Sequence, residues 1–354
     1  MKIAFIVGAR PNFIKLAPIF DIIGRYKEIE PVIVHTGQHY DNNMSEIFFA
    51  ELNIPKPDYH FKISTSTQTK QTSEIMNKLE DLFIKLKPDT VVVIGDVNST
   101  MAGALVASKL NIKLAHIEAG LRSFNKTMPE EINRIVTDHI SDVLFAPSQT
   151  AMNNLEKEGL SDKSHFTGDL MYDAVLRNFP ISEKNSNILN QLNIVEKNYI
   201  LVTLHRPYNV DEPQNLKSII NELSKLEFKI VFPIHPRTRT ILKENNIVIS
   251  SNIINIEPVG YIDSLMLQKN SYKVITDSGG MQKEAFFLKT PCLTLRPETE
   301  WVETIECGAN NLVNIEKLLN LIEKPCEKIL LNSDFYGDGK SAEKILNFLT
   351  KKNI

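Results

Sequence analysis

The chain has 354 residues, 42% of them hydrophobic and 23% charged, the balance of an ordinary globular protein with room for two domains. A formal net charge of −3 and a pI near 6.3 argue against a nucleic-acid or membrane-surface binder held by electrostatics. No apolar run approaches the roughly 20 residues that a membrane span needs.

The first residues, MKIAFIVGAR, begin like a signal peptide but reach Gly8, Arg10 and Pro11 too early, and read as a first strand. Further β-branched runs follow as PVIVHTG (31–37), TVVVIG (90–95), KLAHIE (113–118), DVLFAP (142–147) and HFTG (165–168). Helical patterns such as IKLAPIFDIIGRY and TSEIMNKLEDLFIKL lie between them, the alternation of βαβ units in a parallel sheet. Residues 178–198 are polar and patternless at first and read as an interdomain connection. A second series then runs YILVTLH (199–205), KIVFPIH (229–235), NIINIEP (252–258), KVITDSGG (273–280) and PCLTLRP (291–297). The tail, GDGKSAEKILNFLTKK, reads as one amphipathic helix. The fold expected is α/β, two Rossmann-like domains facing across a cleft, over 1–177 and 178–336, with residues 337–354 as a terminal helix. Cys292, Cys307 and Cys326 lack metal-site spacing, and their odd number speaks for thiols in a cytoplasmic protein rather than disulfides.

The densest chemistry lies in GDVNST…HIEAGLR…MPEEINR, residues 95–134. Asp96 and Glu118 follow apolar runs, and Glu130, Glu131, Arg122 and Arg134 come soon after. Ligands of open α/β sheets bind beyond the strand carboxyl ends. Carboxylates gathered there with arginines point to proton transfer beside an anionic ligand. Any one of these acids alone reads equally well as a helix cap or a turn residue.

The first strand ends in GARPNFIK rather than a G-x-G-x-x-G fingerprint, which speaks against a nicotinamide cofactor. Arg10 and Lys15 flank Pro11 at a predicted helix start, a natural anion site. In ITDSGGMQKEA, Ser278, Gly279 and Gly280 open a helix after a buried strand. Glycines there let backbone N–H groups approach a phosphate, and Glu284, one turn on, has the reach to accept from two ribose hydroxyls. LHRPYN places His205 and Arg206 after a strand, and HPRT repeats the arrangement with His235 and Arg237. Paired placement on neighbouring strands favours His205 as a proton-handling group. Among the other histidines only His39, in TGQHYDNNM, draws attention. The acids and histidines lack close ligand spacing on one element, so no metal is expected.

Taken in order, GARPNFIK, TGQHYDNNM, GD at 95–96, HIEAGLRS, MPEEINR, LHR, DSGGMQKE and GDGK resemble the non-hydrolysing UDP-N-acetylglucosamine 2-epimerases over nearly the whole chain. The resemblance implies a GT-B-like architecture, with the C-terminal helix crossing back onto the N-terminal domain. It implies no cofactor, a homodimer, and a UDP-HexNAc substrate made for surface polysaccharide. By motif, Asp96, Glu118 and Glu130 resemble the acid/base and charge-stabilising carboxylates, with the C2 base left open among them. His205 resembles the group near the departing diphosphate. Arg10, Lys15, Ser278, Gly279 and Gly280 resemble phosphate contacts and Glu284 the ribose contact. Arg122, Arg237 and, more weakly, Glu131 join the substrate-binding set, with pairing to Arg134 as the alternative for Glu131.

The chemistry agrees. C2 of an N-acetylhexosamine is not next to a carbonyl, so inversion needs either transient oxidation or loss of the anomeric leaving group. The second route requires a diphosphate cradle, a base and an acid. The resemblance implies anti elimination of UDP to a 2-acetamidoglucal and re-addition with the opposite C2 configuration.

Departures bear on the substrate. After LHR this chain has Pro207, Tyr208 and Asn209 where many relatives carry acids before the Asn, and Trp301 in TEWVE stands where N-acetylglucosamine epimerases commonly show Arg then Pro. Both look closer to relatives acting on UDP-2,3-diacetamido-glucuronate or deoxyhexosamine nucleotides. QHYDNNM is longer than the family's activator-binding QH-x-x-M region, and STQTKQT lacks an arginine seen in some bacterial members. Allosteric activation by a second UDP-sugar is therefore not carried over. A hydrolysing 2-epimerase and a GT-B glycosyltransferase are the competing enzyme readings. A UDP-sugar sensor would have no use for the acids.

Overall fold

The computed structural model describes residues 1–38, 49, 51–63, 65, 67–324 and 333–351. The chain divides into two compact units, Met1–Ala174 with Ser333–Ile354, and Val175–Asn332. His39 and the rest of HYDNNM lie outside the described residues, as does Cys326.

The first unit holds a sheet of β1 (Lys2–Val7), β2 (Glu30–His35), β3 (Tyr59–His60), β4 (Thr90–Ile94), β5 (Lys113–Ile117), β6 (Val143–Ala146) and β7 (Ser164–Phe166). Their order is β3-β2-β1-β4-β5-β6-β7, and every pairing is parallel. The central strands are largely apolar because helices cover both faces of such a sheet: all five residues of β4 are buried. The edge strand β3, two exposed residues long, was not predicted. Two residues carry no periodicity to read.

The second unit holds β8 (Tyr199–Thr203), β9 (Lys229–Pro233), β10 (Ile253–Ile256), β11 (Lys273–Thr276), β12 (Cys292–Thr294) and β13 (Asn310–Leu312). The order is β10-β9-β8-β11-β12-β13, again parallel. Its core joins Val202, Ile230, Phe232 and Ile275 to Leu216, Ile219, Ile220 and Leu223 of the helix Pro213–Ser224. β13 went unpredicted because Asn310 and Asn311 break the apolar pattern.

Residues 178–198, read as the interdomain connection, are helical over much of their length. A helix runs Leu170–Asn185 with Pro180 inside it, and a short one follows at Ile188–Gln191. Hydrogen bonding to Leu189 and Ile188 carbonyls closes the turn that leads on to β8.

The tail helix, Ser341–Thr350, belongs to the first unit. It packs on the helix Arg10–Ile22. Its Phe348 ring lies 5.5 Å from that of Phe145 and 4.2 Å from that of His165, and Tyr26 donates to Asn347 at 3.0 Å. Asp173 accepts the Ala342 N–H at 2.9 Å. The GDGK turn before it needs its glycine: a side chain on Gly337 would fall 2.9 Å from the Gly168 Cα. Gly337 has φ +86°, and two backbones touch there.

Cys292 is buried, and that burial pushes its thiol up to about 12, whereas Cys307 is half-buried. Among the described residues no helix is long and apolar enough to cross a membrane.

Candidate active site

In each sheet the strand order reverses once, and the crevice beyond the strand carboxyl ends opens at that reversal. In the first unit it falls between β1 and β4, so the loops after Val7 and Ile94 flank it. GARPNFIK and GD, read as separate motifs, are therefore neighbours.

Asn12 joins them. It is buried, accepts the Gly8 and Ala9 N–H groups at 3.0 Å each, and donates to the Ile94 carbonyl at 2.9 Å. Gly8 is required by crowding, since a Cβ there would sit 2.0 Å from Ser99 Oγ. Arg10 is half-buried at the first residue of the helix Arg10–Ile22.

One turn on, the buried Lys15 ammonium donates to Glu118 Oε2. Glu118, immediately after β5, has φ +73°, a left-handed backbone that a residue with a Cβ adopts at a cost. Such strain persists where surrounding structure over-determines it, and functional sites are a common place for it. Gly95 completes the corner. A side chain on it would meet Glu118 Oε2 at 3.2 Å and Lys15 Nζ at 3.4 Å. The residue preceding Asp96 thus abuts the Lys15–Glu118 pair.

Asp96, 29% exposed at its side chain, takes two bonds on one oxygen, from Arg134 Nε at 3.0 Å and Nη2 at 2.6 Å. Its backbone carbonyl is held by Asn133 at 2.8 Å. Glu130 is half-buried in the first turn of the helix Pro129–Ile140. Asp96 and Glu118 thus follow the strands β4 and β5 and are paired with Arg134 and Lys15, while Glu130 lies at a helix start.

Two members of the predicted binding set are buried and engaged by other side chains. Glu131, 1% exposed, accepts from Ser123 N–H, Ser123 Oγ, Phe124 N–H and Arg134, all at 2.9 Å. It closes the 123–131 loop, which is the Arg134 alternative rather than substrate contact. Arg122, with 1% of its side chain exposed, forks onto Glu158 at 2.7 Å twice and onto Asp138 at 2.7 Å. Burial works against the charge of Asp138. The bonds from His116 and Arg122 outweigh it and hold the carboxyl below the usual range.

His116 is the residue that sequence reading passed over. Fully buried, it bridges Asp138 at 2.7 Å and the Gly95 carbonyl at 2.8 Å. It therefore ties the loop that carries Asp96 to the helix behind it. Its place in HIEAG, two residues before Glu118, was the available signal.

In the second unit the order reverses between β8 and β11. His205 and Asp277 follow those two strands. Asp277, buried, accepts the His205 N–H at 3.1 Å, the Arg206 N–H at 3.0 Å and Asn209 Nδ2 at 3.0 Å. His205 Nδ1 lies 3.0 Å from the same carboxylate, which leaves Nε2 as the outward nitrogen of a ring 41% exposed. Burial raises the Asp277 carboxyl, but the His205 and Asn209 bonds prevail and its pKa is lowered. Asn209 is thus a structural partner of Asp277.

Ser278 caps the helix Gly279–Phe287, its hydroxyl accepting the Met281 N–H at 3.4 Å. Helix geometry leaves the Gly279 and Gly280 amides without intrahelical partners, at the positive end of the helix dipole. Glu284 is buried and accepts from Gln268 at 2.7 Å. His235 caps the helix Pro236–Glu244, accepting from the Arg237 N–H at 3.3 Å, while the exposed Arg237 guanidinium pairs with Asp211.

Two Rossmann-like units, each an all-parallel sheet with its polar residues at the switch point, define an α/β protein of the GT-B-like class. A solved structure from Methanocaldococcus jannaschii, a UDP-GlcNAc 2-epimerase in complex with UDP-GlcNAc and UDP, superimposes with a TM-score of 0.91 at 47% identity, covering 99% of each chain. The family profile "UDP-N-acetylglucosamine 2-epimerase" matches residues 22–350. A UDP-N-acetylglucosamine 2-epimerase homolog of Methanococcus maripaludis is 51% identical over 99% of both chains. The UDP-2,3-diacetamido-2,3-dideoxy-D-glucuronate 2-epimerase of Pseudomonas aeruginosa is 43% identical over 99% of this chain and 100% of its own. The chain belongs to the UDP-N-acetylglucosamine 2-epimerase family, and its reaction class is that of a UDP-sugar C2 epimerase.

Proposed function

We propose that the protein interconverts UDP-GlcNAc and UDP-ManNAc by elimination and re-addition of UDP, without hydrolysis. The observation that carries this reading is the division of chemistry between the two switch points. Carboxylates and cations gather at one, with Lys15 on Glu118 and Arg134 on Asp96, while the other carries a helix N-terminus beside His205.

In the proposed reaction a carboxylate from the set Asp96, Glu118 and Glu130 removes the C2 proton. The C1–O bond breaks anti to it, and its electron pair leaves with the diphosphate. Lys15 and Arg10 support the anion, together with Ser278 and the Gly279 and Gly280 amides; Glu284 holds the ribose. Positive charge builds on the sugar ring as the bond stretches, and the remaining carboxylates stabilise it. UDP then adds back at C1 while a proton is delivered to the other face of C2. Nε2 of His205, presented outward by Asp277, is the group that manages charge and proton at the departing phosphate.

Proton NMR of UDP-GlcNAc with the pure protein in D₂O tests this. Deuterium at C2 together with a UDP-ManNAc anomeric signal is expected. Accumulation of free ManNAc and UDP would replace the reading with a hydrolysing epimerase. The 43% identity to the diacetamido-glucuronate enzyme and Trp301 in TEWVE favour a second reading, epimerisation of a modified UDP-HexNAc. An unchanged spectrum with UDP-GlcNAc, and turnover of UDP-2,3-diacetamido-glucuronate, would select it. A homodimer supplying surface-polysaccharide precursors from the cytoplasm belongs to the same proposal, and a monomer mass by light scattering would remove its dimer.

A further inference from the structure

Arg296 follows β12 and is 5% exposed. Its Nη2 donates to Glu300 at 3.0 Å, while Nη1 has no hydrogen-bond partner. A buried guanidinium nitrogen left unpaired costs free energy unless something outside the chain completes it. That nitrogen is aimed at one place: it lies 3.6 Å from where a Cβ on Gly279 would stand, at the first residue of the helix Gly279–Phe287. Glu300 Oε1 comes to 2.9 Å of the same point. The buried Lys283 ammonium sits 3.8 Å from the centre of the Trp301 ring, next along the chain.

We infer that Arg296 is a further diphosphate ligand, its Nη1 completing the anion site that the Gly279 and Gly280 amides begin. The inference rests on the proposed UDP reading of the second unit. The charges close to it are arranged for such a role. Glu300, at the helix start, would by itself repel a phosphate; its bond to Arg296 Nη2 offsets that charge and holds the guanidinium with the buried Nη1 beside the start of the helix. Gly279 is the residue that keeps this approach open, since any side chain would fill the space between Nη1 and the helix amides. Arginine suits the position because its planar fork can hold a carboxylate on one edge and a phosphate on the other, which a lysine point charge cannot do with fixed geometry.

The test compares UDP with uridine, which shares the base and ribose but carries no phosphate. Arg296→Gln should weaken UDP binding about 10- to 100-fold, the loss of one charged hydrogen bond, and leave uridine binding unchanged. Because this variant strands Glu300 beside the helix, it may not be judged on UDP alone; the double variant Arg296→Gln/Glu300→Gln removes both charges and should show the same selective loss in a fully folded protein. Arg296→Lys should fall between. Equal loss of UDP and uridine, or no loss of UDP in the double variant, would overturn the assignment of Arg296 while leaving the UDP reading intact. Failure of the unsubstituted protein to bind UDP would overturn both.

Discussion

Asp277→Asn removes one negative charge from the centre of the second unit with almost no change in volume. The carboxylate serves the His205 and Arg206 N–H groups, Asn209 Nδ2 and His205 Nδ1, at 3.0–3.1 Å. An asparagine retains one acceptor oxygen and turns an NH₂ toward donors, so about two of these contacts are lost. Hydrogen bonds to a charged group contribute about 1.5–3 kcal/mol each, and breaking a buried charged contact costs about 3–5 kcal/mol in all. A loss of about 3–4 kcal/mol at pH 7 is expected, equivalent to a fall of about 10 °C in Tm for a unit of this size. The pH dependence follows from the lowered pKa of Asp277. Its contribution is present above the unfolded carboxyl value, about 3.9, and is lost as pH falls through the lower folded value. Urea unfolding of both proteins from pH 7 to pH 2.5 should show curves well separated at neutral pH that converge in acid. A variant within about 1 kcal/mol of the parent at pH 7, or a gap that stays constant into acid, would refute the role of Asp277 as a charged hub. His205 loses its partner in the same variant, so kcat should fall while UDP affinity changes less.

Asp96→Asn, Glu118→Gln and Glu130→Gln should each lower kcat on the order of 10²-fold or more, as for general acid–base groups, with UDP binding retained; near-normal turnover in all three would make them structural carboxylates. Glu284→Ala should weaken UDP binding by about 1–3 kcal/mol, and an unchanged titration would end its ribose assignment. Lys273, buried, donates to the Leu321, Ile322 and Lys324 carbonyls at 2.6–2.8 Å and so caps the helix Leu318–Glu323. Lys273→Met should therefore cost about 2–4 kcal/mol of stability without touching UDP affinity, and thermal unfolding within a degree of the parent would contradict the capping role.

Much of this protein is legible along the chain. Apolar runs of four to seven residues alternating with helical patterns specify parallel sheets, since only strands covered on both faces can be so uniformly apolar. Short motifs at the ends of those runs, GARPN, GD, HIEAG and DSGG, mark where polar groups are kept, because strand ends are where a parallel sheet meets a ligand.

Other features were settled by folding alone. Whether an acid reaches the site or serves the scaffold depends on the donors around it. Glu130 and Glu131 are adjacent in sequence, yet Glu131 is enclosed by Ser123, Phe124 and Arg134 while its neighbour stays half-buried. Arg122 reads as an anion ligand until Asp138 and Glu158 are seen to surround it. Pairings across long separations, Asn12 with Ile94, Lys15 with Glu118 and His205 with Asp277, leave no local trace, because hydrogen bonding depends on distance in space rather than position in the chain. Composition and periodicity determined the two parallel sheets and the ends at which polar chemistry gathers; tertiary packing alone decided which of those polar groups pair with one another, because partners far apart in the chain meet only in the folded state.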